Sequence, residues 1–307
     1  MRVGAVDCGT NSVRLLVADV EGRDKCDVHR EMRVVRLGQD VDRTGELAPE
    51  ALERTRLALV DYAATCRALG VRAVRMVATS ATRDAGNRSV FADMVRGVMG
   101  VEPEVISGAE EAALSFDGAT HGLDPREGPF LAIDIGGGST ELVLGTTAVE
   151  SALSVDVGSV RLTERHLHDD PPTPAQVAAA KADVDEAIAR VREVVPVESA
   201  RTAVGLAGSV TTVAALALEL TEYDSDRIHL SRISADDVRA VSRQLLSMTA
   251  PERAARAVIH PGRLDVISAG ALVLATLVDR LDLPEVLVSE WDILDGIAWS
   301  IHRPGAA

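Results

Sequence analysis

Short apolar runs alternate along the chain with longer stretches of helical periodicity, and most runs end on a polar turn. Residues 2–6 predict a buried strand ending at Asp7, a turn over Cys8-Gly9-Thr10-Asn11-Ser12 follows, and Val13 to Val20 predicts a second strand. A third strand is expected between Glu31 and Gln39. Pro49 opens a helix and Gly70 closes it, since proline suits a first helical turn and glycine a last one. Val71 to Ala78 predicts a strand running into Thr79-Ser80-Ala81-Thr82-Arg83. A helix from about Asn87 to Gly100, a strand at 104–106 and a helix after Ser107-Gly108 complete this half. The pattern then restarts: Phe130 to Ile133 runs into Asp134, glycines fill positions 136–138, and a strand returns from Glu141 to Leu144. The remainder reads as mostly helical, with a long helix from about Ala175 to Val194 and strands near 202–206 and 285–288. Low complexity is confined to the last few residues.

Strand, aspartate, glycine turn, strand thus occurs twice, with Asp7 and Asp134 127 residues apart. That repeat predicts an α/β fold of two duplicated domains, residues 1–124 and 125–307, facing each other across a cleft. The loop-like stretch from His121 to Gly128 is the expected link and hinge. The length of 307 residues agrees with two domains of roughly 100–200 residues each.

Composition narrows the function. A hydrophobic share of 47% excludes disorder, and a net charge of −15 argues against a general nucleic-acid binder. Aromatic residues at 2% leave little for base stacking. Cys8, Cys26 and Cys66 form neither a disulfide framework nor a zinc knuckle. The N-terminus meets Asp7 before any signal-peptide core, and the apolar run Val266 to Val278 is shorter than the roughly 20 residues a membrane span needs. A cytoplasmic protein is expected.

The chemistry lies in the turns. At Gly9, Thr10, Asn11 and Ser12, a glycine lets backbone N–H groups approach an anion and the neighbouring side chains add donors; a polar-fringed hairpin is the plain alternative. Gly136, Gly137 and Gly138, followed by Ser139 and Thr140, exceed what a hairpin requires, because each glycine gives up more chain freedom on folding. Such a turn suits wrapping a phosphate. Asp7, Asp134 and Glu141 stand where carboxylates can hold Mg²⁺ or another divalent cation. A third turn, Gly205-Leu206-Ala207-Gly208-Ser209, precedes a helix, and Gly208 and Ser209 are candidate phosphate contacts at its N-terminus. Glu110 and Glu111 share a first helical turn, where complementing the helix dipole is the simplest role for either. Arginine forks match phosphate oxygens. Arg14 is open between phosphate contact and solvated strand residue, Arg72 and Arg75 are expected at an edge or on an outward face, and Arg263 is open between substrate contact and turn.

The motifs Asp7-x-Gly-Thr-Asn-Ser, Thr79-Ser80-Ala81-Thr82-Arg83, Ser107-Gly108-Ala109-Glu110-Glu111-Ala112, Asp134-Ile135-Gly136-Gly137-Gly138-Ser139-Thr140-Glu141, Gly158-Ser159-Val160-Arg161-Leu162-Thr163-Glu164, Gly205-Leu206-Ala207-Gly208-Ser209 and Pro261-Gly262-Arg263-Leu264-Asp265 occur in this order. In this the chain resembles the exopolyphosphatase/guanosine-pentaphosphatase (Ppx/GppA) family over nearly its whole length. The resemblance implies an actin-like, ribonuclease-H-like fold in both domains, shared with the actin, sugar-kinase and heat-shock-chaperone superfamily. It implies Glu111 as catalytic base and Arg83 as the arginine nearest the substrate. The implied activity is divalent-cation-dependent removal of terminal phosphate from inorganic polyphosphate. Short chains are expected, because larger family members carry further helical domains. Hydrolysis of guanosine pentaphosphate is the alternative substrate reading, a superfamily ATPase or kinase and a non-catalytic polyphosphate sensor are further rivals, and the resemblance suggests a homodimer.

Overall fold

The computed structural model describes residues 1–22 and 24–301, so the few terminal residues set apart above lie outside it. The chain forms two compact units: residues 1–118 together with the segment from Ile293 onward, and Ala119–Asp292. The expected boundary after residue 124 therefore moves to Gly118/Ala119, and the last helix returns to the first unit.

In the first unit β1 (Arg2–Cys8), β2 (Ser12–Glu21) and β3 (Asp24–Val34) form an antiparallel meander. After α1 (Val41–Thr44) and α2 (Pro49–Ala68), β4 (Ala73–Ala78) pairs parallel to β1. Then come α3 (Ser80–Asp84), α4 (Arg88–Met99), β5 (Glu104–Val105), parallel to β4, and α5 (Gly108–Thr120). The sheet order is β3-β2-β1-β4-β5. The third strand begins at Asp24 and not near Glu31, because Gly22 (φ +62°) allows a tight turn straight back from β2. The core is Val6, Leu15, Leu37, Leu59, Tyr62, Met76 and Phe91 with their neighbours, and the Tyr62 hydroxyl donates to the Val13 carbonyl at 3.0 Å.

The second unit repeats the plan with β6 (Phe130–Ile135), β7 (Thr140–Gly145) and β8 (Val149–Val155), then α6 (Ser159–His166) and α7 (Pro174–Val194). It continues with β9 (Thr202–Leu206), α8 (Ala207–Ala217), α9 (Ser225–Ile228), β10 (Arg232–Ser234), α10 (Ala235–Ser247), α11 (Ala250–Ala254), α12 (Ile267–Arg280) and β11 (Glu285–Val288). Its sheet order, β10-β11-β9-β6-β7-β8, contains the first unit's order with one extra antiparallel edge strand. The duplication inferred from the two aspartates is thus a duplication of topology. The run Val266 to Val278 is α12, buried along almost its whole length against the core of Leu131, Ile133, Val210, Val213 and Leu245. No described helix is long and apolar enough to cross a membrane. Helix α13 (Ile293–Ser300) packs on β1 and β2 of the first unit.

Candidate active site

In the first unit the parallel strands β1, β4 and β5 all end at the same edge, where open α/β sheets commonly bind ligands. Asp7 and Arg14 face each other in the β1–β2 register, and Arg14 donates from Nε and a terminal nitrogen to Asp7 Oδ2 at 3.0 and 2.7 Å. The turn between them is closed by the Gly9 N–H on the Ser12 carbonyl at 3.0 Å. Its carbonyls are tied backwards: Thr10 O accepts from Gly38 N at 2.8 Å, and Asn11 O accepts from Val35 N and Arg36 N at 3.0 and 2.8 Å. Because a trans peptide points its C=O and N–H in opposite directions, the N–H groups of Asn11 and Ser12 face away from that backing. Asn11 is 8% exposed and, among the described residues, its Nδ2 has no hydrogen-bond partner, a buried donor set beside those N–H groups. Burial and the Asp7 charge push the neighbouring Cys8 thiol up, which keeps it protonated and unreactive.

The segment after β4 lies beside this turn, with Thr79 N–H donating to the Cys8 carbonyl at 3.2 Å. Thr79 to Arg83, expected as a strand end, turn into the short helix α3. Arg83 reaches across to α5, donating to the Ile106 carbonyl at 3.1 Å and to Glu111 Oε2 at 3.0 Å. The two adjacent glutamates separate clearly. Glu111 is 8% exposed and held by Arg83, whereas Glu110 is exposed and bonded to Arg75 at 2.7 Å. Arg75, expected at an edge or on an outward face, bridges the exposed Glu104 and Glu110 and Ser300. Only the pairing of strands and helices distant in sequence reveals that role.

The second unit carries the equivalent turn. Gly136 N–H closes on the Ser139 carbonyl at 3.0 Å, and Asp134 faces Glu141 in the β6–β7 register. The α6 segment ties down all three glycine carbonyls: Ser159 N to Gly136 O at 3.0 Å, Val160 N and Arg161 N to Gly137 O at 2.8 and 3.1 Å, and Arg161 Nε to Gly138 O at 2.7 Å. The N–H groups of Gly137, Gly138 and Ser139 therefore face the other way, a backbone nest of the kind that binds anions. Gly158 permits this approach, since a Cβ there would stand 2.4 Å from the Gly137 carbonyl oxygen. Ser139 and Thr140 are buried, and the Thr140 hydroxyl donates to the Val157 carbonyl at 2.6 Å.

Asp134 and Glu141 are both buried, and Ser154 Oγ donates to Glu141 Oε1 at 2.6 Å. Carboxylates directly opposed across two strands together attract positive charge. The donor set fits a hard divalent cation such as Mg²⁺, which commonly binds through one or two carboxylates plus water and phosphate oxygens. Among the described residues, no three His, Cys, Asp or Glu side chains gather into a set that would hold a metal ion alone. Of the expected carboxylate trio, Asp134 and Glu141 face each other in one register, and Asp7 pairs with Arg14.

At the third turn Ala207 adopts a left-handed φ of +66° as α8 begins, a strained conformation for a residue with a Cβ. The Arg263 guanidinium lies over Gly208, where a Cβ would stand 2.1 Å from it, so the arginine left open above is brought to the glycine turn. Ser209 is buried against Gly270. Nearby, Tyr223 Oη lies 2.7 Å from Thr211 Oγ1 and 2.6 Å from Glu290 Oε1, and burial together with the Glu290 charge pushes its phenol up.

Residues 16–303 match the model of the Ppx/GppA phosphatase family. Exopolyphosphatase 2 of Mycobacterium tuberculosis is 51% identical over 313 residues, covering 98% of both proteins. The crystal structure of an exopolyphosphatase-like protein superposes with a TM-score of 0.93 at 45% identity over 97% of each chain. The Ppx/GppA family member of Aquifex aeolicus gives 0.80 at 28% identity, covering 98% of this chain and 97% of that one. The chain belongs to the Ppx/GppA phosphatase family.

Proposed function

We propose that this protein is an exopolyphosphatase, hydrolysing the terminal phosphoanhydride of inorganic polyphosphate and releasing orthophosphate. The observation that carries the reading is the buried Glu111 carboxylate oriented by Arg83 at the strand edge that also bears the Gly9–Ser12 turn. The backbone N–H groups of the turns and Asn11 Nδ2 hold phosphoryl oxygens. Gly208 and Ser209 present a further helix N-terminus for phosphate. Glu111 takes a proton from water as its oxygen bonds the terminal phosphorus, and the bridging P–O bond breaks to release the shortened chain. Arg83 holds Glu111 and offsets charge on the phosphoryl oxygens. Asp134 and Glu141 would hold a divalent cation of the Mg²⁺ type, which would supply neutralisation of phosphate charge.

Phosphate release from polyphosphate with Mg²⁺ tests this, with guanosine pentaphosphate and ATP assayed in parallel. Glu111→Gln is expected to lower kcat by about 10²–10⁴-fold, the usual worth of a general base, while polyphosphate still binds. An unchanged rate would remove Glu111 from the chemistry. Release from guanosine pentaphosphate alone would transfer the same machinery to that nucleotide.

A further inference from the structure

We infer that the C-terminal helix α13 is a positioning element for the catalytic helix α5, with Gly296 and Asp295 as its working residues. The inference rests on the reading of Glu111 as base. Gly296 lies directly against α5: a Cβ at this position would stand 2.1 Å from the Leu114 carbonyl oxygen and 2.8 Å from its carbon. Leu114 is three residues, about one helical turn, beyond Glu111, so α13 meets the α5 backbone one turn from the proposed base. Only a residue without a side chain allows two helix backbones to approach this closely.

A second contact grips the other end of that turn. Arg75 donates to Glu110 at 2.7 Å, to Glu104 at 2.6 Å and to Ser300 Oγ, at the end of α13, at 2.7 Å. Glu111 thus sits between a residue tied to α13 through Arg75 and a carbonyl pressed by Gly296. Helix α13 is itself anchored. Asp295 is 0% exposed and paired with Lys25 Nζ at 2.9 Å and with Arg30, both on β3, and Lys25 Nζ lies 5.8 Å from the Trp299 ring centroid. The first unit therefore takes its last helix from the far end of the chain and uses it to hold the first turn of α5 against Arg83.

The test is Gly296→Ala in the full-length enzyme. The new methyl group must push α5 or α13 aside, and displacing a catalytic group by about 1 Å costs on the order of 100-fold in rate. A fall in kcat of about 10–100-fold with KM changed less than about threefold is expected, because the turns that hold phosphate are untouched. In a Glu111→Gln background the same substitution should lower the residual rate no further, since its effect passes through Glu111. Should Gly296→Ala fail to fold by circular dichroism, Glu110→Gln, an exposed change that weakens the Arg75 grip, should still lower kcat by about three- to tenfold at constant KM. Folded variants with unchanged kcat, or with losses that add fully to Glu111→Gln, would overturn the inference. If Glu111→Gln alone retains full rate, the catalytic reading fails instead, and the two failures are distinguishable.

Discussion

The two hairpin turns share a backbone and differ in charge. Each begins after a buried strand-end aspartate, closes with a 3.0 Å bond from its first N–H to its last carbonyl, and has its carbonyls tied to a backing segment. The residue opposite the aspartate is Arg14 in the first unit and Glu141 in the second. One turn carries its own counter-cation. The other sets two buried acids at facing positions. The same turn geometry thus occurs twice, with a change of sign at one register position.

The strongest break of this contrast is Glu141→Gln, which removes a charge while keeping shape and the Ser154 contact. Activation by Mg²⁺ should fall by about two orders of magnitude, since metal stabilisation of phosphoryl charge is worth several kcal/mol. Stability without metal is the baseline for both proteins. Thermal melts with and without Mg²⁺ separate these effects: the parent gains stability as the cation binds the native state, and the variant loses that gain. An equal Mg²⁺ response in both proteins would remove Glu141 from the metal site.

Much of this was legible in the sequence, and the gaps have physical causes. Asp7, Asp134 and the glycine turns end apolar runs, so local pattern located both half-sites and the repeat. The edge strands β3 and β8 were misplaced or missed because most of their residues are only partly buried or exposed, leaving no clean alternation to read. The bridge from Arg75 to Ser300 and the return of α13 depend, like the contacts of Gly296 with Leu114 and Asp295 with Lys25, on distant parts of the chain coming together. Glu110 and Glu111 are both first-turn acids by pattern. Burial and the arginine each one meets tell them apart.

A smaller effect tests the self-neutralised turn. Arg14→Gln leaves Asp7 buried without its two charge-assisted bonds and should destabilise the protein by about 1.5–3 kcal/mol. Chemical denaturation measures it. Because Asp7 then resembles the acids of the second turn, added Mg²⁺ should restore part of the loss. A loss below about 0.5 kcal/mol would mean that the Arg14 pairing is solvent-screened and that the contrast between the turns carries little energy.

The finest distinction lies in how each turn is backed. A Cβ on Gly158 would meet backbone, the Gly137 oxygen at 2.4 Å and the Gly138 nitrogen at 2.7 Å. A Cβ on Gly38 would meet mainly the Thr10 methyl group, at 2.3 Å, which a side-chain rotation can move. Overpacking costs typically about 1–3 kcal/mol, with the upper end where nothing can yield. Gly158→Ala should therefore destabilise more than Gly38→Ala, by a difference of about 1 kcal/mol in paired denaturation curves. It should also weaken phosphate binding more, because the nest N–H groups move with the backbone, whereas at Gly38 a side chain absorbs the strain. Equal losses would mean that Thr10 cannot rotate, and that the first turn is held as rigidly as the second.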